Sequence, residues 1–262
     1  MKLYDCIVSS HNEVAPGYFR LVLKDKELAE LSQPGQFIML EVTNTYEPFL
    51  RRPMSIERIF SDSISILYKV VGKGTKLLST ISIGEIINVQ GPLGNSFPID
   101  PNVKEYLLVG GGIGIAPFPA LAEKIIRTHG GNIQVIIGAK NHPQVLCERD
   151  FREMGCKVYV ATEDGSYGEK GLVTDILENL NINSPVTVYT CGPIRMIKKV
   201  HQICEQRDWV CYASLEANMA CGIGVCLGCV VPVKFVVENE MMARVCKEGP
   251  IFDTRVIQWE KI

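Results

Sequence analysis

The spacing of hydrophobic residues along this chain changes twice, which divides it into three stretches. Over residues 1 to about 100 the apolar positions come in short runs: "YDCIVSSHNEV", "YFRLVLK", "QFIMLEV", "SISILYKVV" and "GEIINVQGP". They are rich in Val, Ile, Tyr and Phe and are separated by Gly, Pro, Asn and Asp. Such runs between turn formers predict strands, and many in succession predict an antiparallel sandwich or barrel. From about residue 101 the pattern changes. "EYLLVGGG" is an apolar strand running into glycines, after which Ile115, Phe118, Leu121, Ala122 and Ile125 recur at helical spacing. "IQVIIGA", "KVYVATED" and "PVTVYTCGP" read as further strands, "LVTDILENL" and "IRMIKKVHQIC" as helices. Strands alternating with helices over short links predict a parallel α/β sheet with helices packed on it. After about Val210 the alternation stops, and a predicted hairpin, "VVPVKFVVENEMMARVC", follows a cysteine-rich stretch. The expected organisation is a β-barrel over 1–100, an α/β unit over 101–210 and a small C-terminal unit over 211–262.

Composition narrows the class of partner. A formal charge of −2 gives no electrostatic reason for a nucleic-acid partner. The start, "MKLYDCIVSSHNEV", lacks the apolar core of a signal peptide. No stretch approaches the roughly 18 apolar residues of a membrane helix; glycines and two prolines interrupt the most apolar run, "EYLLVGGGIGIAPFPALA". A cytoplasmic protein without a membrane span is expected.

Ten cysteines are many for such a chain. Cys6, Cys147, Cys156, Cys191, Cys204 and Cys211 are scattered singly, as small buried hydrophobes would be. The other four differ. "CGIGVCLGC" holds Cys221, Cys226 and Cys229, and with Cys246 they make C-x4-C-x2-C-x16-C. A [2Fe–2S] cluster takes four thiolates, and the plant-type pattern is C-x4-C-x2-C followed by a distant Cys. The loop must turn its N–H groups toward the sulfurs, and Gly222, Gly224 and Gly228 stand where the required turns are expected. Structural zinc is the rival, although zinc sites favour two closely spaced pairs and here the ligands divide three and one.

Two glycine-rich turns follow apolar strands. In "VGGGIGIAP", Gly111, Gly112 and Gly114 lead from a strand into a helix start, where N–H groups and the helix dipole suit a pyrophosphate. "TCGP" contributes Cys191, Gly192 and Pro193 at the end of a later strand, where small residues admit a flat ring. Each is equally consistent with a plain strand–helix link. In the first stretch, "LRRPMSI" sets two arginines in an apolar run, as phosphate-binding guanidiniums or as surface cations. In "GKGTKLLS", Gly74 and Thr75 offer N–H and hydroxyl groups to a second phosphate, or Thr75 caps a helix.

"RRPMS", "LYK", "GKGT", "GPLGNSF", "GGGIGIAP" and "CGP" stand in the order found in the ferredoxin–NADP reductase superfamily. With "CGIGVCLGC", and Cys246 ahead of "KEGPIF", the chain resembles the electron-transfer subunits of dihydroorotate dehydrogenase B over essentially its whole length. The resemblance implies an FAD-binding barrel, a Rossmann-like NAD-binding sheet and a [2Fe–2S] domain. It implies FAD contacts from Arg52, Pro53, Met54 and Ser55, from Leu67, Tyr68 and Lys69, and from Gly74 and Thr75. It implies cluster ligation by Cys221, Cys226, Cys229 and Cys246, with NAD at the two glycine turns. Met54 stands where the wider superfamily has a tyrosine that stacks on the flavin.

NADH delivers two electrons as hydride and a cluster accepts one at a time, so a flavin must stand between them. Arg52 would hold the FAD pyrophosphate and Ser55 would bond near the reactive edge of the flavin. The implied partner is an FMN-containing catalytic subunit interconverting dihydroorotate and orotate, two chains of each kind forming a heterotetramer. Two other readings stay open: a diaphorase subunit of a hydrogenase, sulfite reductase or transhydrogenase, and a zinc-stabilised binding module. "GAKNHPQV" carries only Lys140 as a cation, while Glu163 and Asp164 at the next strand end would repel an extra phosphate, so NAD is expected over NADP.

Overall fold

Alternation along the first strand shows how the N-terminal stretch folds: Tyr4, Cys6 and Val8 are buried, while Leu3, Asp5 and Ile7 face outward. The computed structural model describes residues 2–43, 45–182, 185–234 and 240–262. Strands β1 (Lys2–Ala15), β2 (Tyr18–Lys24), β3 (Phe37–Leu40), β4 (Arg52–Ile59), β5 (Ser63–Lys69) and β6 (Ile86–Leu93) close an antiparallel barrel in the order β1-β2-β5-β4-β3-β6. Helix α1 (Lys26–Leu31) adds Leu28 to the barrel core, and its first turn is capped by Asp25, whose Oδ1 accepts from the Leu28 N–H at 2.8 Å. Helix α2 (Lys73–Leu78) adds Leu78. Six strands leave an interior that side chains such as Leu21, Ile38, Ile64 and Val89 fill. A ligand of this unit must therefore bind against the outside of the barrel.

The second stretch forms β7 (Glu105–Gly111), α3 (Phe118–Thr128), β8 (Asn132–Ala139), α4 (Glu148–Glu153), β9 (Lys157–Thr162), β10 (Glu169–Lys170), α5 (Val173–Asn179), β11 (Val186–Cys191) and α6 (Ile194–Gln206). Ile115 precedes α3 in a short 3-10 turn, because the glycines and Pro117 delay the helix to Phe118. Strands "YLLV" and "VIIG" are apolar throughout because helices cover both faces. Phe118, Leu121, Ile125 and Phe151 pack on one side, and Ile176, Leu177, Val200 and Ile203 on the other.

The third stretch supplies β12 (Val210–Ser214), β13 (Val230–Lys234), β14 (Glu240–Arg244) and β15 (Ile251–Asp253). The main sheet runs β10-β9-β8-β7-β11-β12-β15, with β12 parallel to β11 and β15 antiparallel at the edge. The expected hairpin forms as β13 and β14, paired from Val230↔Arg244 to Lys234↔Glu240; the "FVVEN" of its tip lies outside the described residues. Strand order reverses between β7 and β11, and the crevice beyond the carboxyl ends of strands at such a reversal is where open α/β sheets bind ligands.

The three stretches share cores. Tyr18, Leu67 and Phe97 from the first pack with Ile115 and Tyr189 of the second. Phe37, Met39 and Leu93 of the barrel pack with Ile197 and with Cys229, Val233, Cys246 and Trp259. No helix among the described residues is long and apolar enough to cross a membrane.

Candidate functional site

The crevice at the strand reversal is a cleft of about 660 Å³. Strand β7 ends in Gly111 and β11 in Cys191, and the two turns that follow press backbone against backbone. A Cβ on Gly114 would lie 2.4 Å from the Cys191 carbonyl oxygen, and one on Gly111 would lie 2.5 Å from Met196 Sδ. Gly192 has φ +148°, a backbone state that side chains oppose. Gly111, Gly112, Gly114, Gly192 and Pro193 all line the cleft. Cys191 lies buried just behind them, and burial pushes its thiol pKa well up, so it stays neutral.

The barrel contributes Tyr18 and Lys69 to the opposite wall, and the Lys69 ammonium sits 5.2 Å from the Tyr18 ring centroid. Lys140 and Glu163 lie at the mouth. Asp164, by contrast, turns aside to the Ser166 hydroxyl at 2.6 Å. The motifs did not single out Glu216, which lines the cleft just beyond β12. Crowding by protein atoms raises its carboxyl pKa. No local motif marks it, because it reaches the site through the strand order.

Around the barrel the paired arginines have different roles. Arg51 stitches strands together, donating to the Asn88 carbonyl at 3.0 Å and to Asn88 Oδ1 at 2.6 Å, with Glu41 as its ion partner. Arg52 donates to the Leu50 carbonyl and, among the described residues, pairs with no carboxylate. Its guanidinium lies over Gly74, where a Cβ would come within 2.4 Å of Arg52 Nε. "RRPMS" and "GKGT" therefore meet in space. Thr75 Oγ1 accepts from the Val71 and Gly72 N–H groups at 2.9 and 3.1 Å, so its hydroxyl ties down the start of α2. Pro53, Met54 and Ser55 are half-buried along β4, opposite Met39, Ile38 and Phe37 of β3. Leu67 joins the core shared with the α/β unit. The Tyr68 ring belongs to the barrel core, stacked on Phe19 with centroids 5.8 Å apart, and its hydroxyl bonds to His11 Nε2 at 2.9 Å. That ring is taken, and only the Tyr68 backbone remains for an outside ligand.

The four cysteines converge as two pairs. Cys221 and Cys226 share one thiol contact, and Cys229 and Cys246 share the other. No three of the four sulfurs lie mutually within 4.8 Å; among the described residues only Glu57, Cys147 and Asp150 meet that spacing. One tetrahedral zinc would bring all four sulfurs to roughly 3.8 Å of each other. Two separated pairs fit two metals, each held by two thiolates.

Backbone donors surround these sulfurs. The N–H groups of Ile223 and Cys226 reach Cys221 Sγ at 3.5 Å, and that of Cys246 reaches Cys229 Sγ at 3.4 Å. Desolvation pushes the Cys221 thiol up, yet the N–H groups of Ile223, Cys226 and Val225 outweigh it and hold the pKa at about 6. Burial, with the Cys229 contact, pushes Cys246 up to about 12. Gly222 and Gly224 are left-handed at φ +69° and +79°. The third left-handed residue is Leu227 at φ +58°, where the sequence pointed to Gly228. Gly228 is not left-handed, and a Cβ there would make only an ordinary contact, 3.6 Å from Cys226 Sγ. Arg244 braces the loop by donating to the Gly224 carbonyl at 2.7 Å, and it holds the Glu248 carboxyl down at about 2.

The loop is docked on the barrel. A Cβ on Gly222 would lie 2.8 Å from Met39 Cγ, and Gln90 Nε2 donates to the Cys221 carbonyl at 3.4 Å. Met39 pairs with Pro53, so the cysteine loop is one strand away from the "RRPMS" strand. Neighbouring strands are separated by about 4.8 Å.

Comparison with known proteins agrees with this geometry. Residues 216–258 match the iron-sulfur cluster binding domain of dihydroorotate dehydrogenase B, and residues 108–202 match the oxidoreductase NAD-binding domain. The chain is 39% identical over 256 residues to the dihydroorotate dehydrogenase B (NAD(+)) electron transfer subunit of Geobacillus sp. (strain WCH70), covering 96% of this chain and 97% of that relative. It is 38% identical over 257 residues to the same-named subunit of Bacillus velezensis, again over 96% and 97%. Among solved structures it resembles a chain of an NADH-dependent reduced ferredoxin–NADP oxidoreductase, with a TM-score of 0.86 and 28% identity over 97% of this chain and 90% of that one. The cytochrome b5 reductase domain of Ulva prolifera nitrate reductase shares the fold, with a TM-score of 0.66 and 15% identity over 79% of this chain and 94% of that one.

Proposed function

The chain belongs to the family of dihydroorotate dehydrogenase B electron transfer subunits, and on that premise we propose that it carries electrons between a dihydroorotate-oxidising, FMN-containing partner subunit and NAD, within pyrimidine nucleotide synthesis. The groups it would hold are a [2Fe–2S] cluster and FAD. When bound, FAD exchanges two electrons with NAD(H) and single electrons with a cluster, chemistry that no side chain supplies. The residues of this chain bind and orient.

Cys221 and Cys226 hold one iron, Cys229 and Cys246 the other. This assignment is supported by the two sulfur pairs, and it is the observation that carries the reading. Cys226 is exposed while Cys229 and Cys246 are buried, so the Cys221–Cys226 side faces a partner. Arg52 grips the FAD pyrophosphate, with Gly74 leaving room for its guanidinium and α2 presenting first-turn N–H groups beside it. Pro53, Met54, Ser55, Leu67, Tyr68, Lys69 and Thr75 line the flavin's course along β4, β5 and α2, and Tyr68 acts through its backbone. Gly111, Gly112 and Gly114 take the NAD pyrophosphate, and Cys191, Gly192 and Pro193 let the nicotinamide lie flat. Glu163 at the cleft mouth disfavours a 2′-phosphate, in keeping with NAD over NADP. The units are 1–100 for FAD, 101–210 for NAD and 211–262 for the cluster, working in the cytoplasm as a heterotetramer of two chains of each kind.

An absorption spectrum with an iron count on the pure chain, then NADH reduction with and without the catalytic partner, tests this. Flavin and cluster bands that NADH bleaches are expected, and with the partner and dihydroorotate present, orotate formation coupled to reduction of NAD. A colourless zinc protein would overturn it, and orotate formation unaffected by this chain would favour a diaphorase of another complex. A further expectation concerns Gly114→Ala. Its new Cβ would strike the Cys191–Gly192 main chain, which cannot rotate away as a side chain would. NADH binding should weaken by about tenfold or more, roughly the 1–3 kcal/mol of an overpacked site, with flavin and iron content unchanged. Titration of flavin reduction against NADH measures it.

A further inference from the structure

The barrel and the α/β unit meet through a part-buried charge network centred on one buried carboxylate, which the cofactor sites do not use. Glu57, on β4, is fully buried. Its carboxylate accepts from Arg20 Nε at 3.0 Å and Nη2 at 2.7 Å, from the Ser65 hydroxyl at 3.0 Å, and from the Cys147 thiol at 3.7 Å. Arg20 also reaches across to Asp150 Oδ2 at 2.8 Å. Arg58, next to Glu57 on β4, donates to Asp150 Oδ1 at 2.9 Å and pairs with Glu123 at 3.0 Å. Arg20, Glu57, Arg58 and Ser65 belong to the barrel; Glu123 on α3, Cys147 just before α4 and Asp150 on α4 belong to the nucleotide-binding unit. The spacing of Glu57, Cys147 and Asp150 would admit a cation, but the two guanidiniums already occupy those carboxylates.

Burying ion pairs gives little net stability compared with apolar packing, because desolvation offsets the attraction. The apolar contact between the units, of Tyr18, Leu67 and Phe97 with Ile115 and Phe118, already holds them together. Such contact is non-directional and fixes no angle. Paired guanidinium–carboxylate bonds are directional. Both ends of this network lead to the site: β4 carries Arg52 to Ser55 upstream of Glu57, and α4 follows the segment from which Lys140 and Gln144 line the cleft. The Tyr18 hydroxyl spans the same gap, 3.4 Å from Gln144 Oε1.

We propose that the Glu57–Arg20–Asp150–Arg58–Glu123 network is an orientation clamp between the two units, and that Glu57 is a positioning residue for hydride transfer across the cleft. This rests on the reading of the cleft as the NAD(H) site beside the flavin. Misalignment of reacting atoms by about 1 Å can cost roughly 100-fold in rate. In the holoprotein carrying Glu57→Gln, flavin reduction at saturating NADH should therefore slow at least tenfold. FAD content, iron content and reduction by dithionite should stay at wild-type levels, since neither unit's own site is altered. The long-wavelength absorption of nicotinamide stacked on flavin should diminish, a change that simple loss of stability would not produce. Asp150→Asn, at a less buried position, should show the same pattern and decides the matter if Glu57→Gln does not fold. Wild-type rates and stacking absorption in the folded variant would overturn the clamp. Wild-type protein that NADH cannot reduce would instead sink the reading of the cleft.

Discussion

Cys226→Ser protein is expected to retain flavin and to contain almost no iron. Cys226 is the exposed member of the outer thiol pair, and its own N–H is one of the donors held on Cys221 Sγ. On the proposed assignment, removing that sulfur would leave one iron with a single thiolate, and a cluster depends on all four. Iron should fall from about two per chain to near zero, and the visible cluster absorption should vanish. Flavin should remain, because Arg52, Gly74 and β4 belong to the barrel and not to the cysteine loop. Iron analysis beside the spectrum measures both at once. Two irons per chain in the variant would show that Cys226 is no ligand. Serine at Cys156, buried against the opposite end of the sheet, should leave the iron in place.

Loss of flavin on purification is the expected result for Arg52→Ala. A charge-assisted hydrogen bond contributes about 1.5–3 kcal/mol, and its loss weakens FAD binding by roughly 10- to 100-fold. The neighbouring arginine is the control. Arg51 spends its donors on Asn88 and Glu41, so Arg51→Ala should lower the melting temperature of the barrel and leave the flavin largely bound. Lysine at position 52 restores the charge without the planar fork, so only partial recovery is expected. Equal flavin content in Arg52→Ala and wild type, measured after extensive dialysis, would remove Arg52 from the phosphate site.

Local chemistry in this chain was legible, and long-range company was not. The cysteine spacing points to a cluster because a loop of nine residues would by itself supply three of the four proposed ligands. The glycine turns were ambiguous singly, and the structure adds what neither turn shows alone: Gly114 abuts Cys191, a contact between the turns after separate strands. The two arginines of "RRPMS" look alike in sequence, and only the partners from β6 and α2 separate their roles. Leu227 could not be foreseen in a left-handed state, since glycine beside it is the cheaper choice by intrinsic preference. Glu216 and the Glu57 network escaped for the same reason: Arg20 and Asp150 are 130 positions apart, and no window of sequence contains both. Helices α1 and α4, at six residues each, were too short to display a period.

The cysteine-bearing segment leaves the main sheet as β12 and rejoins it as β15, side by side on one edge. An engineer grafting this iron-binding piece onto another flavoprotein would need to carry Val210–Ser214 and Ile251–Asp253 with it. Clipping it off before Val210 would bare the flank of Val186–Cys191, a row of unsatisfied main-chain groups inviting promiscuous strand addition. Shortened versions should accordingly clump in solution before they lose their appetite for nucleotide.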